Sequence, residues 1–263
     1  MGGFAINRIN NKRVVVVIQA RVDSYRLPGK VLKKVLNKPL LGYLVDRLRR
    51  ATQIDDIVVA TTIKKSDDLV VEYCEINRIN YFRGSETDVL SRYYMASKKF
   101  KADFVIRICG DSPLIDPLLV DEMVQEYFIK KPIPDYFSNT INQSYPLGMN
   151  IEIFSLSTLE SAFINAKIFF EREHVTPYIY MNTQKFNISE KHIIPNLNQL
   201  RLTVDQKEDF EVIKLVIENF NNKNQVLDFS LDDIINLSKE KPEIFSINSE
   251  VSQVKIQDLM QPN

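Results

Sequence analysis

The sequence has few of the residues that build zinc sites or disulfide frameworks. It contains no tryptophan, two cysteines and two histidines among 263 residues. Cys74, Cys109, His174 and His192 do not have the usual spacing of a zinc site, and two cysteines are too few for a disulfide framework. We therefore expect a protein of a reducing compartment, such as the cytoplasm.

An excess of charge of one sign is also missing. The 34 basic and 34 acidic residues cancel, so the formal net charge is zero. Proteins that bind nucleic acids or anionic membranes through bulk charge carry an excess of lysine and arginine. No apolar run approaches the roughly 20 residues of a membrane helix, and the first residues lack the pattern of a signal peptide. We expect neither a nucleic acid nor a membrane as a partner.

Glycine is scarce, and its placement is informative. There are seven glycines, two of them at positions 2 and 3. Glycine is useful where the backbone must bend or approach a ligand closely. Gly29, Gly84, Gly110 and Gly148 all lie in loops next to polar motifs. Neither a Walker loop nor a Gly-x-Gly-x-x-Gly fingerprint is present, so any phosphate must be held by side chains and loop amides.

A strongly basic loop directly follows an apolar run. Val14–Ile18 consists of five apolar residues, which predicts a strand buried on both faces of a parallel sheet. α/β enzymes hold their ligands at the carboxyl ends of such strands. Arg21, Arg26 and Lys30 follow at this end, and their charges suit a polyphosphate. A solvated basic turn is the alternative interpretation.

Strands and helices alternate along most of the chain. This alternation predicts an α/β fold with a mostly parallel sheet flanked by helices. We expect a single domain over residues 12–222 and a C-terminal helical appendage over residues 223–263. The predicted strands are 14–18, 57–61, 81–82, 104–108, 151–154 and 200–204, the predicted helices are 39–51, 66–77, 87–100, 117–128, 157 onward, 208–220 and 230 onward, and 132–150 is a predicted long loop.

Polar residues in front of the periodic segments predict where helices begin. Ser66, Thr87 and Ser157 are the predicted N-caps of three helices. Asp116, followed by proline, and Ser230 are predicted to begin two more.

Two aspartates follow apolar runs and are candidates for a metal site. Asp111 comes after the predicted strand 104–108 and Gly110, and Asp205 ends the run 202–204. Two carboxylates that meet at one edge of a sheet would suit Mg²⁺ bound to a nucleotide, because Mg²⁺ takes few protein carboxylates and completes its shell with water and phosphate. The alternative is that each aspartate caps the helix that follows it.

Several motifs together resemble one enzyme family. The pattern Gln-Ala-Arg-x4-Arg-Leu-Pro-Gly-Lys at 19–30 is similar to the N-terminal signature of the superfamily of 3-deoxy-manno-octulosonate and acylneuraminate cytidylyltransferases, and the chain most closely resembles the branch of spore coat polysaccharide biosynthesis. The further matching motifs are Ile57–Thr62, Phe82–Glu86, Asp88–Leu90, Gly110–Pro117, Arg172–Tyr178 and Arg201–Asp205.

The resemblance implies the three-layer, Rossmann-like fold of nucleotide-diphospho-sugar transferases. It also implies transfer of CMP from CTP to an acidic sugar, an ulosonic or nonulosonic acid, with release of pyrophosphate for surface polysaccharide synthesis. Arg21, Lys30 and Asp111 would be catalytic, and Asp111 and Asp205 would bind Mg²⁺. The residues implied for the nucleotide are Gln19, Ala20, Arg21, Ser24, Arg26, Lys30, Arg83, Ser85, Asp88 and Gly110, and those for the sugar are Asn150, Glu152, Arg172, Glu173, His174 and Tyr178.

Three points of the resemblance stay open. Relatives often read Gly-Leu-Asp-x-Glu where this chain has Asn150 in place of the aspartate, which leaves the identity of the sugar open. A nucleotidyltransferase for sugar 1-phosphates and a non-catalytic nucleotide-binding scaffold are alternative functions. We expect a homodimer that pairs through the aromatic loop 132–150, although such a loop also suits a mobile lid.

Overall fold

The structure, a computed structural model, describes residues 12–222 and 227–253. Its strands are β1 (Val14–Gln19), β2 (Lys34–Val35), β3 (Lys38–Pro39), β4 (Asp56–Thr62), β5 (Asn80–Gly84), β6 (Phe104–Cys109), β7 (Tyr136–Ser138), β8 (Glu152–Ser155) and β9 (Ile188–Glu190). Its helices are α1 (Leu40–Leu48), α2 (Asp68–Ile76), α3 (Val89–Lys99), α4 (Pro117–Ile129), α5 (Leu156–Asn165), α6 (Phe169–His174), α7 (Pro177–Tyr180), α8 (Lys207–Asn222), α9 (Leu231–Glu240) and α10 (Pro242–Ser246). Within these ranges, no helix is long and apolar enough to cross a membrane.

The main sheet has seven strands in the order β5-β4-β1-β6-β8-β7-β9. β1 pairs in parallel with β4 and β6, and β4 pairs in parallel with β5. Only β8 runs the other way, antiparallel to both β6 and β7. The prediction of a mostly parallel mixed sheet is confirmed, and the neighbouring parallel strands β5, β4, β1 and β6 end at one common edge.

β1 shows why the sheet is covered on both faces. Because successive side chains of a strand point to opposite faces, Val14, Val16 and Ile18 pack into one core, and Val15 and Val17 pack into the other. The first core also contains apolar residues of α1, α4 and α8, and the second contains those of α3 and α5. The fold therefore has three layers, as the resemblance implied.

The described part of the predicted appendage, residues 227–253, packs onto the rest of the chain. Phe229, Leu231 and Ile234 belong to the same buried cluster as the core of α1 and α4. The buried Arg47 of α1 donates hydrogen bonds from Nη2 to the main-chain oxygen of Phe229 at 2.9 Å and from Nε to that of Ile115 at 2.8 Å. Residues 223–226 and 254–263 lie outside the described residues, so the predicted boundary at 222 stays a prediction.

Two predicted starts of helices are confirmed, and three are wrong. The Asp116 side chain caps α4, and Ser230 forms a capping box with Asp233 at α9. The cap of α3 is Asp88, one residue after the predicted Thr87, because the carboxylate of Asp88 accepts the Ser91 amide at 2.9 Å. α5 begins earlier than predicted, because the Ser155 hydroxyl accepts the Thr158 amide at 3.0 Å.

The corresponding corrections are that Thr87 and Ser157 are not caps, and that Ser66 is not one either. Ser66 lies inside a short 3₁₀ turn, Lys65–Asp67, and donates its hydroxyl to Asp23 at 3.2 Å. The neighbouring Asp67 is buried and accepts the Val22 amide at 2.6 Å, which anchors the basic loop. Asp67, a polar residue directly before α2, thus holds the basic loop instead of capping the helix.

Two segments differ from their predictions. The predicted loop 132–150 contains β7, and Tyr136, Phe137 and Tyr145 are buried in the chain's own core. Their aromatic character therefore does not support a dimer contact. The predicted strand 200–204 is not a strand. It forms one isolated bridge, between Leu147 and Arg201, because it is held between the 146–148 turn and Asp111.

Candidate active site

A cavity of about 350 Å³ opens at the carboxyl ends of β1 and β6. The basic loop 20–29 forms one side of it, and the end of α6 forms another. The predicted site residues that line it are Gln19, Ala20, Arg21, Ser24, Arg26, Lys30, Gly110, Asp111, Glu173, His174 and Asp205. The structure therefore brings the basic loop, the two candidate metal carboxylates and part of the Arg172–Tyr178 motif to one edge of the sheet.

The basic loop is closed by its own backbone and by Asp67. The Gly29 amide donates to the main-chain oxygen of Val22 at 2.8 Å, and Gly29 has a φ of 69°, which favours glycine. Asp67 holds the Val22 amide from the side of β4. The loop leads directly into a 3₁₀ turn that starts at Lys30, whose side chain reaches Asp111 and Asp205. The loop is thus a fixed frame for its cations.

Gly110 allows the chains after β1 and β6 to approach each other. Its amide donates to the main-chain oxygen of Gln19 at 2.9 Å. A Cβ atom on Gly110 would lie 2.6 Å from that same oxygen. Because no side chain fits there, glycine is required to place Asp111 directly at the cavity.

Asp111 and Asp205 lie on either side of one ammonium group. Lys30 Nζ donates to Asp111 Oδ2 at 2.7 Å and to Asp205 Oδ1 at 2.9 Å. Arg26 Nη2 lies 2.8 Å from the same oxygen of Asp205. The main chain holds the aspartates together, because the Val204 amide donates to the main-chain oxygen of Asp111 at 2.9 Å. We call Arg26, Lys30, Asp111 and Asp205 the edge cluster.

The charges of the edge cluster support one another. Burial alone would lower the pKa of Lys30, but Asp111 and Asp205 outweigh burial and raise this pKa above its ordinary value. Burial alone would raise the pKa of Asp205, but Lys30, Arg26 and Arg201 hold it below its ordinary value. Lys30 and Asp205 are therefore both charged at neutral pH.

The capping alternative does not fit these two aspartates. The carboxylate of Asp111 bonds to Lys30, and α4 is capped by Asp116. At the start of α8, it is Asp209 that accepts the amides of Asp205 and Gln206, both at 2.9 Å.

A buried support behind Asp205 was not predicted. Arg201 Nη2 donates to Asp205 Oδ2 at 3.0 Å, and Arg201 Nε donates to Asp209 Oδ1 at 2.7 Å. Arg201 and Asp209 are buried, and the two ends of the arginine fork thus link the two carboxylates. The spacing of Arg201, Asp205 and Asp209 at intervals of four was the available signal. The predicted strand over residues 200–204 conceals this signal, because a spacing of four is typical of helices.

The donor set of the edge cluster fits Mg²⁺. One Nζ atom contacts both carboxylates, so oxygens of Asp111 and Asp205 face a single cation position. In the part of the chain that the structure describes, no three His, Cys, Asp or Glu side chains form a metal-binding group. Two carboxylates alone suit a Mg²⁺ ion that takes its other ligands from nucleotide phosphates and water.

Four predicted site residues bond elsewhere in the structure and do not line the cavity. Arg83 donates to the main-chain oxygens of Thr62 and Lys64 at 2.9 and 2.8 Å. Ser85 accepts the Asp88 amide at 3.0 Å, and Asp88 caps α3 while it also pairs with Arg172. In this arrangement Ser85, Asp88 and Arg172 order the start of α3, and Arg83 holds the segment that follows β4.

Three predicted sugar contacts also lie away from the cavity. Asn150 bonds to Gln143, and Tyr178 accepts a hydrogen bond from Lys185 at 3.1 Å. Glu152 on β8 pairs with Arg107, its direct neighbour on β6, in a contact between buried parts of the sheet. The sequence pattern does not indicate Arg107, because its partner is 45 positions away in sequence.

The cavity is also lined by His174, Glu173 and two residues that were not predicted, Arg92 and Cys109. Burial lowers the pKa of His174, so it is neutral at pH 7. Burial raises the pKa of Cys109 to about 11, so it is a thiol and not a nucleophilic thiolate. Arg92 of α3 donates to the main-chain oxygen of Ser85 at 2.5 Å, and its Nε atom has no partner among the described residues.

A basic loop and two carboxylates at the carboxyl edge of a parallel sheet define an α/β enzyme that acts on nucleotides. Comparison with known proteins identifies the kind of enzyme. The sequence profile described as "Cytidylyltransferase" matches residues 15–252, so the chain belongs to the cytidylyltransferase family and is a nucleotidyltransferase.

The comparisons also confirm the resemblance to the spore coat branch. The chain is 33% identical over 240 residues to the spore coat polysaccharide biosynthesis protein SpsF of Bacillus subtilis, covering 88% of this chain and 95% of that protein. It is 40% identical over 243 residues to an uncharacterized protein of Methanocaldococcus jannaschii, covering 92% and 96%. A solved cytidylyltransferase from Leptospira borgpetersenii superposes with a TM-score of 0.85 at 34% identity, covering 93% of this chain and 99% of the other.

Proposed function

We propose that the protein transfers CMP from CTP to an acidic sugar, an ulosonic or nonulosonic acid, with Mg²⁺ as cofactor and with release of pyrophosphate. The observation that supports this most directly is the edge cluster, in which one lysine contacts two carboxylates beside Arg26. Such a cluster contains both kinds of charged group that bind Mg²⁺–CTP: cations for the triphosphate and carboxylates for the metal ion.

In this proposal the cations of the edge cluster change partners when the nucleotide binds. Lys30 and Arg26 would move from the carboxylates to phosphate oxygens. Arg21 would join them, because its ionic contact with Glu86 is long, at 3.9 Å. Asp111 and Asp205 would then hold Mg²⁺. When bound, Mg²⁺ would neutralise charge on the phosphates and lower the pKa of the attacking hydroxyl.

The reaction itself needs little from the protein besides positioning and charge. The sugar hydroxyl would attack the α-phosphorus in line with the leaving pyrophosphate, a phosphorus–oxygen bond forms as the bond to pyrophosphate breaks, and the hydroxyl proton passes to solvent. Lys30 and the loop arginines stabilise the charge that develops on the leaving group. The protonated Cys109 and the neutral His174 fit a mechanism without a covalent enzyme intermediate.

The acidic nature of the sugar is supported by Arg92, which lines the cavity together with His174. A carboxylate on the acceptor is a suitable partner for the guanidinium group of an arginine. The neutral imidazole of His174 is a suitable partner for hydroxyl groups.

The proposed function is tested by pyrophosphate release. The purified protein is incubated with Mg²⁺, with each of CTP, UTP, ATP and GTP, and with a panel of ulosonic acids, nonulosonic acids and sugar 1-phosphates. We expect release with CTP and an acidic sugar. Release only with sugar 1-phosphates would favour the first alternative, and binding of CTP without turnover on any acceptor would favour a non-catalytic scaffold.

We also keep the homodimer as a proposal, which rests on the resemblance. The proposal assigns no surface to the dimer contact, because the aromatic residues Tyr136, Phe137 and Tyr145 of the 132–150 segment are buried within the chain. Light scattering at micromolar concentration measures the oligomeric state, and a monomer at that concentration would remove the proposal.

A further inference from the structure

Asn248, just after α10, is buried against the support of Asp205. Only 2% of its surface is exposed, although the residues around it are largely polar. Its Nδ2 atom donates to Asp209 Oδ1 and to the main-chain oxygen of Arg201, both at 3.0 Å. An amide that uses both donor hydrogens in this way fixes Arg201 and Asp209 relative to each other.

Arg201 and Asp209 in turn hold Asp205 at two points. Arg201 Nη2 donates to Asp205 Oδ2 at 3.0 Å, and the Asp205 amide donates to Asp209 Oδ2 at 2.9 Å. Side chain and backbone of Asp205 are therefore both restrained. Its other oxygen, Oδ1, is the one that contacts Lys30 and Arg26 in the edge cluster.

A second residue of the same segment holds the arginine. Gln253 Oε1 accepts a hydrogen bond from Arg201 Nη1 at 2.6 Å. All three nitrogens of the guanidinium group thus have partners: Asp209 at Nε, Gln253 at Nη1, and Asp205 and Asp209 at Nη2. An arginine held along its whole fork has little freedom to rotate away from Asp205.

We infer that Asn248 and Gln253 are positioning residues, which act through Arg201 and Asp209 to aim Asp205 Oδ1 at the metal position. The inference rests on the proposed function, in which Asp205 holds Mg²⁺. It gives the C-terminal segment 227–253 a role in catalysis, although the residues it contributes do not line the cavity. Partners that orient metal ligands typically contribute to metal affinity as well as to structure.

The test uses the full-length chain and measures binding of Mn²⁺ as a probe, by the loss of the free-Mn²⁺ signal in electron paramagnetic resonance, with a non-hydrolysable CTP analogue present. We expect Asn248→Ala to weaken Mn²⁺ binding about tenfold. The Mg²⁺ concentration for half-maximal pyrophosphate release should rise in parallel, while the KM for CTP at saturating Mg²⁺ changes little. The matched control is Ser249→Ala, since the exposed Ser249 hydroxyl donates to the Ser246 main-chain oxygen within the segment. It should bind Mn²⁺ as the unchanged protein does.

Further variants separate the possible failures. A folded Asn248→Ala protein with unchanged Mn²⁺ affinity overturns the inference, because a purely structural role lowers only the melting temperature. If Asn248→Ala does not fold, Gln253→Ala at the exposed end of the segment replaces it, with a smaller weakening expected and an unchanged affinity overturning the inference. Asp205→Asn should abolish Mn²⁺ binding. If it does while Asn248→Ala changes nothing, the inference alone fails, whereas unchanged binding in Asp205→Asn removes the proposed metal site as well.

Discussion

Two clusters of opposite charges lie close together along β6, and they differ in their surroundings. The edge cluster lies at the end of the strand and lines the cavity. The pair of Arg107 and Glu152 lies between β6 and β8, where neither residue lines the cavity. Arg107 Nε and Glu152 Oε2 are also buried without a partner among the described residues.

The two clusters differ in whether their ionic partners can be exchanged for a ligand. The charged groups of the edge cluster line the cavity, so a phosphate could replace a carboxylate and a metal ion could replace an ammonium group without leaving an unpaired charge. Arg107 and Glu152 depend on each other, because the register of β6 and β8 places them directly opposite. Burial alone would lower the pKa of Arg107, but Glu152 outweighs burial and raises it well above its ordinary value. Under the proposed function, paired opposite charges would thus bind ligands at the edge, whereas further in they support the structure of the sheet.

Removing Lys30 is expected to have the largest effect. Lys30→Ala should lower kcat/KM for CTP by about 100- to 1000-fold, which is typical for loss of one donor that stabilises developing charge. The melting temperature should change little, because Asp205 keeps Arg26 and Arg201. Pyrophosphate release and a thermal melt measure the two quantities. Lys34→Ala, which changes a nearby exposed lysine, is the control and should be unaffected. Near-normal activity of Lys30→Ala would show that the edge cluster is not a phosphate site.

Breaking the inner pair should affect stability instead of activity. Glu152→Gln should lower the free energy of unfolding by about 3–5 kcal/mol, because it leaves the buried charge of Arg107 unpaired. The double variant Arg107→Met with Glu152→Leu should recover much of this loss, since an apolar pair of similar size needs no partner. Urea denaturation measures both. If Glu152 instead contacts the sugar, as the resemblance implied, Glu152→Gln would raise the KM for the acceptor and leave the free energy of unfolding unchanged.

The sequence allowed the fold and the position of the site to be predicted, because both depend on local patterns. Apolar runs such as Val14–Ile18 specify buried strands, and the carboxyl ends of parallel strands must meet at one edge. The convergence of Lys30 and Asp111 at one edge follows from this geometry, because they come after β1 and β6. Asp205 arrives there by a different route, since residues 200–204 are not a strand and the Val204 amide donates to the main-chain oxygen of Asp111.

The directions of individual side chains could not be predicted, because they depend on partners distant in sequence. Arg83 and Arg172 belong to motifs of the family, yet here they bond to a turn and to a helix cap. The pairing of Arg107 with Glu152 requires the register between β6 and β8, which no periodicity reveals. The contact of Asn248 with Arg201 requires the path of the C-terminal segment across the molecule.

The charges of the edge cluster should produce an effect of moderate size on the pH dependence of the free energy of unfolding. The pKa of Asp205 is lowered in the folded protein, so its contribution is present above the unfolded value of about 3.9 and is lost as pH falls through the folded pKa. The pKa of Lys30 is raised, so its contribution is complete below about 10.4 and is lost as pH rises through the folded pKa. The difference in free energy of unfolding between the unchanged protein and Asp205→Asn should therefore be constant from about pH 5 to 9. It should shrink in stronger acid. A difference that changes steadily across neutral pH would contradict this assignment.

The smallest effect is expected at His174, which lines the cavity and is neutral at pH 7. His174→Gln keeps a polar side chain but alters its hydrogen bonds, and one neutral hydrogen bond contributes about 0.5–1.5 kcal/mol. We expect the KM for the sugar to rise by up to about tenfold while kcat stays nearly constant. Since burial keeps the pKa of His174 below its ordinary value, the imidazole carries no charge between pH 7 and 8.5, and kcat/KM for the sugar should follow the same curve in both proteins over that range. Steady-state kinetics with the acceptor identified by the nucleotide screen measures all three quantities. A large fall in kcat, or a change in the shape of the curve, would instead make His174 an acid or base in the reaction.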